Sequence, residues 1–154
     1  MARIILLDSG VIGLALAPPS KSNARQCIEW IDRLTRGGVS VVVPEITYYE
    51  VKRGLLFKPA NSALKLEKLE SICQNLEMVP VKRAAWDKAA EFWAIVRQAG
   101  KPTAQELSLD ADAVLAAMAV TIVGPGDLAT IATTNIGHLG RFPGVVAQRW
   151  NLVV

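Results

Sequence analysis

The sequence predicts an α/β protein, a three-layer α/β/α sandwich with a central parallel sheet of about five strands. Three observations predict it. Short aliphatic runs recur along the chain, each bounded by glycine, proline or a polar turn former. Longer segments between them space their apolar residues three and four apart, the period of a helix with one buried face. One such segment, residues 112–123, is apolar almost all round, as a helix buried on every side must be. Strands that alternate with helices give a parallel sheet covered on both faces.

Arg3–Leu7 is an aliphatic strand that leaves the sheet at Asp8-Ser9-Gly10. A helix follows over Ser22–Arg36, where Cys27, Ile28, Ile31 and Leu34 are spaced for one face. Residues 39–43 form a second strand between Gly37-Gly38 and Pro44. Helices over 46–57 and 62–74 come next, the first opened by Pro44 near its first turn. A weaker strand spans 77–81, and the helix over 82–99 gathers Ala85, Ala89, Phe92, Trp93 and Val96 on one side. After the central helix, Leu128–Thr133 is a fourth strand, and either 145–148 or 152–154 supplies an edge strand.

A chain of 154 residues is the size of one domain, so residues 1–154 are read as a single unit. Hydrophobic residues at 51% against 20% charged exclude a disordered chain. No apolar run reaches the roughly 18 residues of a membrane span, since the longest stops at Gly124-Pro125. Asp8 interrupts the N-terminal run before it reaches the length of a signal-peptide core, which places the protein in the cytoplasm. Cys27 and Cys73, without CxxC spacing and with one His in the chain, indicate buried thiols and neither a zinc site nor a disulfide framework. A net charge of +3 and pI near 9.0 permit an acidic polymer as partner without identifying one.

Ligands of such a sheet bind beyond the carboxyl ends of its strands, a rule that selects Asp8 and the Thr133-Thr134-Asn135 segment. A strand-ending Asp is by itself more often a turn former. Glu50 shares a helix face with Ile46, Tyr49, Arg53 and Phe57, on an apolar stripe away from the solvent-facing charges. Its bland reading is an exposed pair with Arg53, worth about 0.2–0.5 kcal/mol. Asp110 and Asp112 precede an alanine-rich run, where acids commonly cap free N–H groups. Asn135 can cap the turn that follows it, and a lone His138 is more often structural than a ligand.

The pieces Leu6-Leu7-Asp8-Ser9-Gly10-Val11, Tyr49-Glu50-Val51-Lys52-Arg53-Gly54-Leu55, Asp112-Ala113-Val114-Leu115-Ala116-Ala117-Met118-Ala119 and Ala132-Thr133-Thr134-Asn135 follow one another from the first strand to the last. In that order the chain resembles the PIN-domain family, in particular its VapC-like bacterial toxin branch. The resemblance implies that acids from distant chain positions meet at one end of the sheet. By its pattern Asp8 is the first acid, Glu50 the acid before Arg53-Gly54-Leu55, and Asp112 the acid that opens the alanine-rich helix, with Asp110 as a supporting neighbour. Many members carry a further Asp where this chain has Asn135, or shortly after it, where Ile136 and His138 stand. That departure bears on whether a second metal is held.

Clustered carboxylates repel one another unless a cation neutralises them, and hard oxygen ligands suit Mg²⁺ or Mn²⁺. The implied activity is a metal-dependent endoribonuclease, the toxin of a toxin–antitoxin pair. Asp8 and Asp112 would be metal ligands, and Glu50 would hold metal waters or act as a base. Thr134 and Asn135 would position water or phosphate, while Lys52 and Arg53 meet the RNA backbone. The implied partners are an RNA substrate, a short antitoxin protein and a second copy of the chain. Trp30, Trp86, Trp93 and Trp150 are too many for one small domain to bury easily, which agrees with a homodimer. A phosphotransfer domain of the haloacid-dehalogenase type needs a second Asp where Gly10 stands. The stronger rival is a non-catalytic RNA- or protein-interaction module on the same fold.

Overall fold

The computed structural model describes residues 1–60, 62–100 and 106–154. In chain order its elements are β1 (Arg3–Leu7), α1 (Ser9–Leu16), α2 (Ser22–Arg36), β2 (Ser40–Pro44), α3 (Glu45–Phe57), α4 (Ala63–Asn75), β3 (Glu77–Val79), α5 (Arg83–Gln98), α6 (Glu106–Thr121), β4 (Leu128–Thr133), α7 (Ile136–Leu139) and β5 (Ala147–Arg149). A 3₁₀ turn, Trp150–Leu152, follows the last strand. The five strands form one parallel sheet in the order β3-β2-β1-β4-β5. From β1 the chain first winds outward through β2 and β3, then returns to build β4 and β5 on the other side. The winding therefore reverses between β1 and β4, and a crevice opens there beyond their carboxyl ends.

Alternation along the strands makes the two cores. Ile4 and Leu6 point, with Val42 and Ile131, toward α5 and α6, whereas Ile5 and Leu7 point, with Val41, Val43 and Ala132, toward α1 and α2. Both faces of the sheet are covered at its centre, so β1 and β2 are aliphatic and buried over most of their length, whereas the edge strands β3 and β5 are largely exposed. Helix α6 carries the densest packing, with every residue from Ala113 to Ala119 buried. Among the described residues no helix is long and apolar enough to cross a membrane.

Several local expectations change. Helix α1 was not predicted, because Gly10 and Gly13 break its pattern and its apolar residues lack a preferred face; it forms where Asp8 caps it and burial of Val11, Ile12, Ala15 and Leu16 offsets the glycines. Helix α6 starts at Glu106, so Asp110 and Asp112 lie inside it and do not cap it. The edge strand is Ala147–Arg149, and the 152–154 alternative fails because Trp150–Leu152 turns to bury Val153 in the core. Ile28 is exposed and Trp30 takes its expected place on the inner face of α2. Phe57 and Tyr49 are likewise exposed, so the apolar stripe proposed around Glu50 reduces to Ile46. Trp93 leaves the inner face of α5, and Cys73 is only partly buried while Cys27 is fully so.

Candidate active site

Asp8 is the residue at which the chain leaves β1. Its own N–H still donates to the Ala132 carbonyl at 3.1 Å, while its carboxylate accepts from Val11 N–H at 2.8 Å and caps α1. Burial raises its pKa above the ordinary carboxylate value, against N–H groups of Val11, Thr134 and Gly10 that favour the charged form. The Thr133 hydroxyl lies within reach of both this carboxylate and the Asn135 carbonyl, with one proton to give. Gly10 brings the two elements together: a Cβ there would lie 2.3 Å from Thr134 Oγ1, so only glycine lets α1 start against the end of β4.

Glu50 reaches the same place from α3 with a side chain 16% exposed. Burial, then the negative charge of Asp112, pushes its pKa up to about 7; Arg53, with Nη2 3.7 Å away, opposes the shift, and Asp8 adds to it. Asp112 comes from α6 and is 18% exposed. Its Oδ2 accepts from Arg141 Nη2 at 3.3 Å and lies 3.4 Å from His138 Nδ1. Burial raises its pKa even though His138 and the Arg141 guanidinium favour the ionised form. Asp8, Glu50, Asp112, Thr134, Asn135 and His138 line one open cleft of about 300 Å³ at the carboxyl end of β1 and β4.

The other expected residues divide. Asn135 accepts from Gly137 N–H at 3.1 Å through its side chain, so it caps α7 while bordering the cleft. Arg53 stands beside Glu50 and over the Tyr49 ring. Lys52 points away: its Nζ donates to Tyr48 Oη at 2.9 Å, and Tyr48 Oη donates to Glu70 on α4. Asp110 is exposed and borders a different groove, between Trp86 and Trp93 of α5 and Ala113 and Val114 of α6, which removes it from the acidic cluster. A residue that sequence reasoning missed is Arg141. Its side chain is 14% exposed, and its Nε and Nη1 are buried without a hydrogen-bond partner among the described residues. The signal available for it was the His138-Leu139-Gly140-Arg141 spacing, two cations one turn apart just beyond β4.

Three desolvated carboxylates, of which Asp8 raises the pKa of the other two and Asp112 that of Glu50, form a donor set suited to a hard divalent cation. Among the described residues no three His, Cys, Asp or Glu side chains close on a single point. A cation here would be held directly by one or two carboxylates and would keep waters in the rest of its shell, as Mg²⁺ commonly does.

A strand-capping Asp, an acid from the helix after β2 and an acid from the helix before β4 thus meet across a parallel sheet of order 3-2-1-4-5. The PIN domain family profile matches residues 5–130. The chain belongs to the PIN domain family. This PIN domain is similar over nearly its whole length to solved VapBC and FitAcB structures. With VapBC2 from Rickettsia felis, solved on a DNA fragment from their promoter, it shares 18% identity at a TM-score of 0.71, covering 96% of this chain and 98% of that one. With VapBC-1 from nontypeable Haemophilus influenzae the values are 17%, 0.71, 96% and 98%. With FitAcB from Neisseria gonorrhoeae they are 23%, 0.71, 97% and 99%. At these identities the likeness is one of fold. No curated protein matches the chain.

Proposed function

We propose that this PIN domain is a Mg²⁺- or Mn²⁺-dependent endoribonuclease and the toxin of a toxin–antitoxin pair. The observation that carries the reading is the meeting of Asp8, Glu50 and Asp112, from three distant elements, in one cleft where burial raises all three pKa values and neighbouring carboxylates add to the shifts of Glu50 and Asp112. Asp8 and Asp112 would hold the cation. When bound, it supplies a Lewis acid for the scissile phosphate and makes a coordinated water more acidic. Glu50, half ionised near pH 7, is poised to take a proton from the attacking water. The water oxygen bonds to phosphorus as the bond to the leaving oxygen breaks in line, and the leaving oxygen takes up a proton from solvent. The Thr134 hydroxyl at the cleft rim donates to a phosphate oxygen, and Arg53, half exposed beside Glu50, meets the strand's backbone.

The partners follow from the same cleft. An antitoxin would silence it by laying an Arg against the three carboxylates, since a guanidinium can bridge carboxylates bidentately. A second copy of the chain would cover the Trp86–Trp93 face of α5. One observation favours the rival, a non-catalytic interaction module: Asp112 is already paired with Arg141, so part of the cluster is neutralised without a metal ion. Incubation with mixed structured RNAs in Mn²⁺ and in EDTA separates the two. Cleavage in Mn²⁺ alone that is lost in Asp8→Asn supports the nuclease. Intact RNA under every condition sinks it.

A further inference from the structure

The acidic cleft has a polar neighbour. Beyond Thr133 and Thr134, which line both, Asn23, Gln26, Arg149, Trp150 and Asn151 surround a second depression of about 190 Å³. Its walls come from the start of α2, the end of β5 and the 3₁₀ turn, so it continues the cleft along the carboxyl ends of β4 and β5. The chemistry changes abruptly across the two threonines. On one side stand three carboxylates; on the other, three primary amides, a guanidinium and an indole, with no carboxylate among the residues that line it.

Each feature suits a nucleotide. A primary amide carries a donor and an acceptor side by side, the pairing needed to read a base edge. Trp150 is fixed before anything binds: its ring meets Trp30 edge-on with centroids 5.5 Å apart, and Trp30 Nε1 donates to the Val153 carbonyl at 2.9 Å. A rim aromatic held in this way offers contact to a base at little entropic cost. Arg149 is exposed at the end of β5, where a guanidinium can meet a phosphate. A depression of about 190 Å³ has room for one base and is too small for a helix about 10 Å across. We propose that this depression holds one base of single-stranded RNA adjacent to the phosphodiester cut over Asp8, Glu50 and Asp112. The inference rests on the nuclease reading and adds to it the part of the site that chooses where the strand is cut.

The test is a thermodynamic cycle on a short single-stranded RNA cut at one bond by the full chain in Mn²⁺. Each nucleotide is replaced in turn by an abasic one, and KM and kcat are measured for wild type, Gln26→Ala and Asn151→Ala. In wild type, one position flanking the cut raises KM about tenfold when abasic, the size expected for loss of one stacked base. In either variant the intact RNA shows that higher KM, and the abasic replacement costs nothing more. A penalty of equal size in wild type and both variants overturns the proposal and leaves the nuclease intact. Variants that keep the abasic penalty but lose a co-purifying protein partner also overturn it, assigning the depression to that partner. No cleavage by wild type removes the nuclease reading and this inference with it.

Discussion

Helix α6 meets solvent at two places that break the usual sorting of residues in opposite directions. At the cleft it contributes Asp112, a carboxylate 18% exposed among other buried acids; at the groove against α5 it contributes Asp110 beside Trp86 and Trp93, which are 52% and 41% exposed. Two positions apart on a helix is about 200° of rotation, so adjacent acids of one sequence motif end on different sides. Buried charge is retained where chemistry needs it, and exposed large aromatics mark a surface that another molecule covers. In the proposed reading, catalysis lies on one side of α6 and association on the other.

The largest effect that could break this assignment is the contrast between Asp112→Asn and Asp110→Asn. The first should lower the initial rate on structured RNA by on the order of a thousandfold or more, since it alters a group at the reacting centre. The second should stay close to wild type, because Asp110 lies outside the cleft. Titrating Mn²⁺ should raise the thermal midpoint of wild type and of Asp110→Asn, as a ligand of the folded state does, but not that of Asp112→Asn. The opposite ranking would place the active site on the wrong side of α6.

A tenfold to hundredfold effect is expected at Arg141, which acts on the cleft only through Asp112. Its Nε and Nη1 are buried and its side chain is 14% exposed, and its contact with the site is the 3.3 Å bond to Asp112 Oδ2. Removing a nearby positive charge would by itself tighten cation binding, whereas releasing a carboxylate from its orienting partner weakens it about 10- to 100-fold. Calorimetric titration of Mn²⁺ into Arg141→Met separates these opposed effects by sign. Weaker binding, restored in Arg141→Lys, supports positioning; tighter binding would reduce Arg141 to a counter-charge.

The sheet was legible because burial on both faces forces short aliphatic runs at β1 and β2, each closed by a turn former, with β4 a weaker run of the same kind. Asp8 stood out through its place at a strand end, whereas Glu50 and Asp112, which lie inside their helices, were picked out with the help of the family resemblance. What stayed hidden has physical reasons. Helix α1 is stabilised by the Asp8 cap and by burial, neither of which appears as a period. The separation of Asp110 from Asp112 depends on α6 beginning at Glu106, well ahead of the alanine-rich run. Arg141 was invisible because a lone arginine after a strand reads as solvated, and only the tertiary fold brings it from position 141 to the flank of Asp112.

An effect of about tenfold is expected on association. Wild type should scatter light as a dimer at tens of micromolar, and Trp86→Ala with Trp93→Ala should raise the dimer Kd by about tenfold or more, because buried aromatics carry a large share of interface energy. Both side chains are already exposed in the single chain, so the change should leave the thermal midpoint of the monomer nearly unmoved. A monomeric wild type at those concentrations would leave the α5–α6 groove without the occupant assigned to it.

The smallest effect, a few degrees in thermal midpoint, tests whether the buried acids are strained in the absence of a cation. Glu50 has its folded-state pKa raised to about 7 from 4.5, with burial first and Asp112 second among the causes. A raised value means that the folded chain holds a proton which the unfolded chain has already released. The contribution of Glu50 is therefore fully present below about pH 4.5 and is lost as pH rises through about 7. Asp8 and Asp112 are raised as well and push stability in the same direction. In EDTA, the midpoint of wild type should fall between about pH 5 and pH 7.5, and Glu50→Gln, which cannot ionise, should flatten the upper part of that fall. Mn²⁺ binds the ionised carboxylates, so its stabilising effect should grow over the same interval and oppose the loss. Parallel midpoint curves for wild type and Glu50→Gln in EDTA would mean that Glu50 is solvated in the folded chain, and the case for it as the base near neutral pH would go with them.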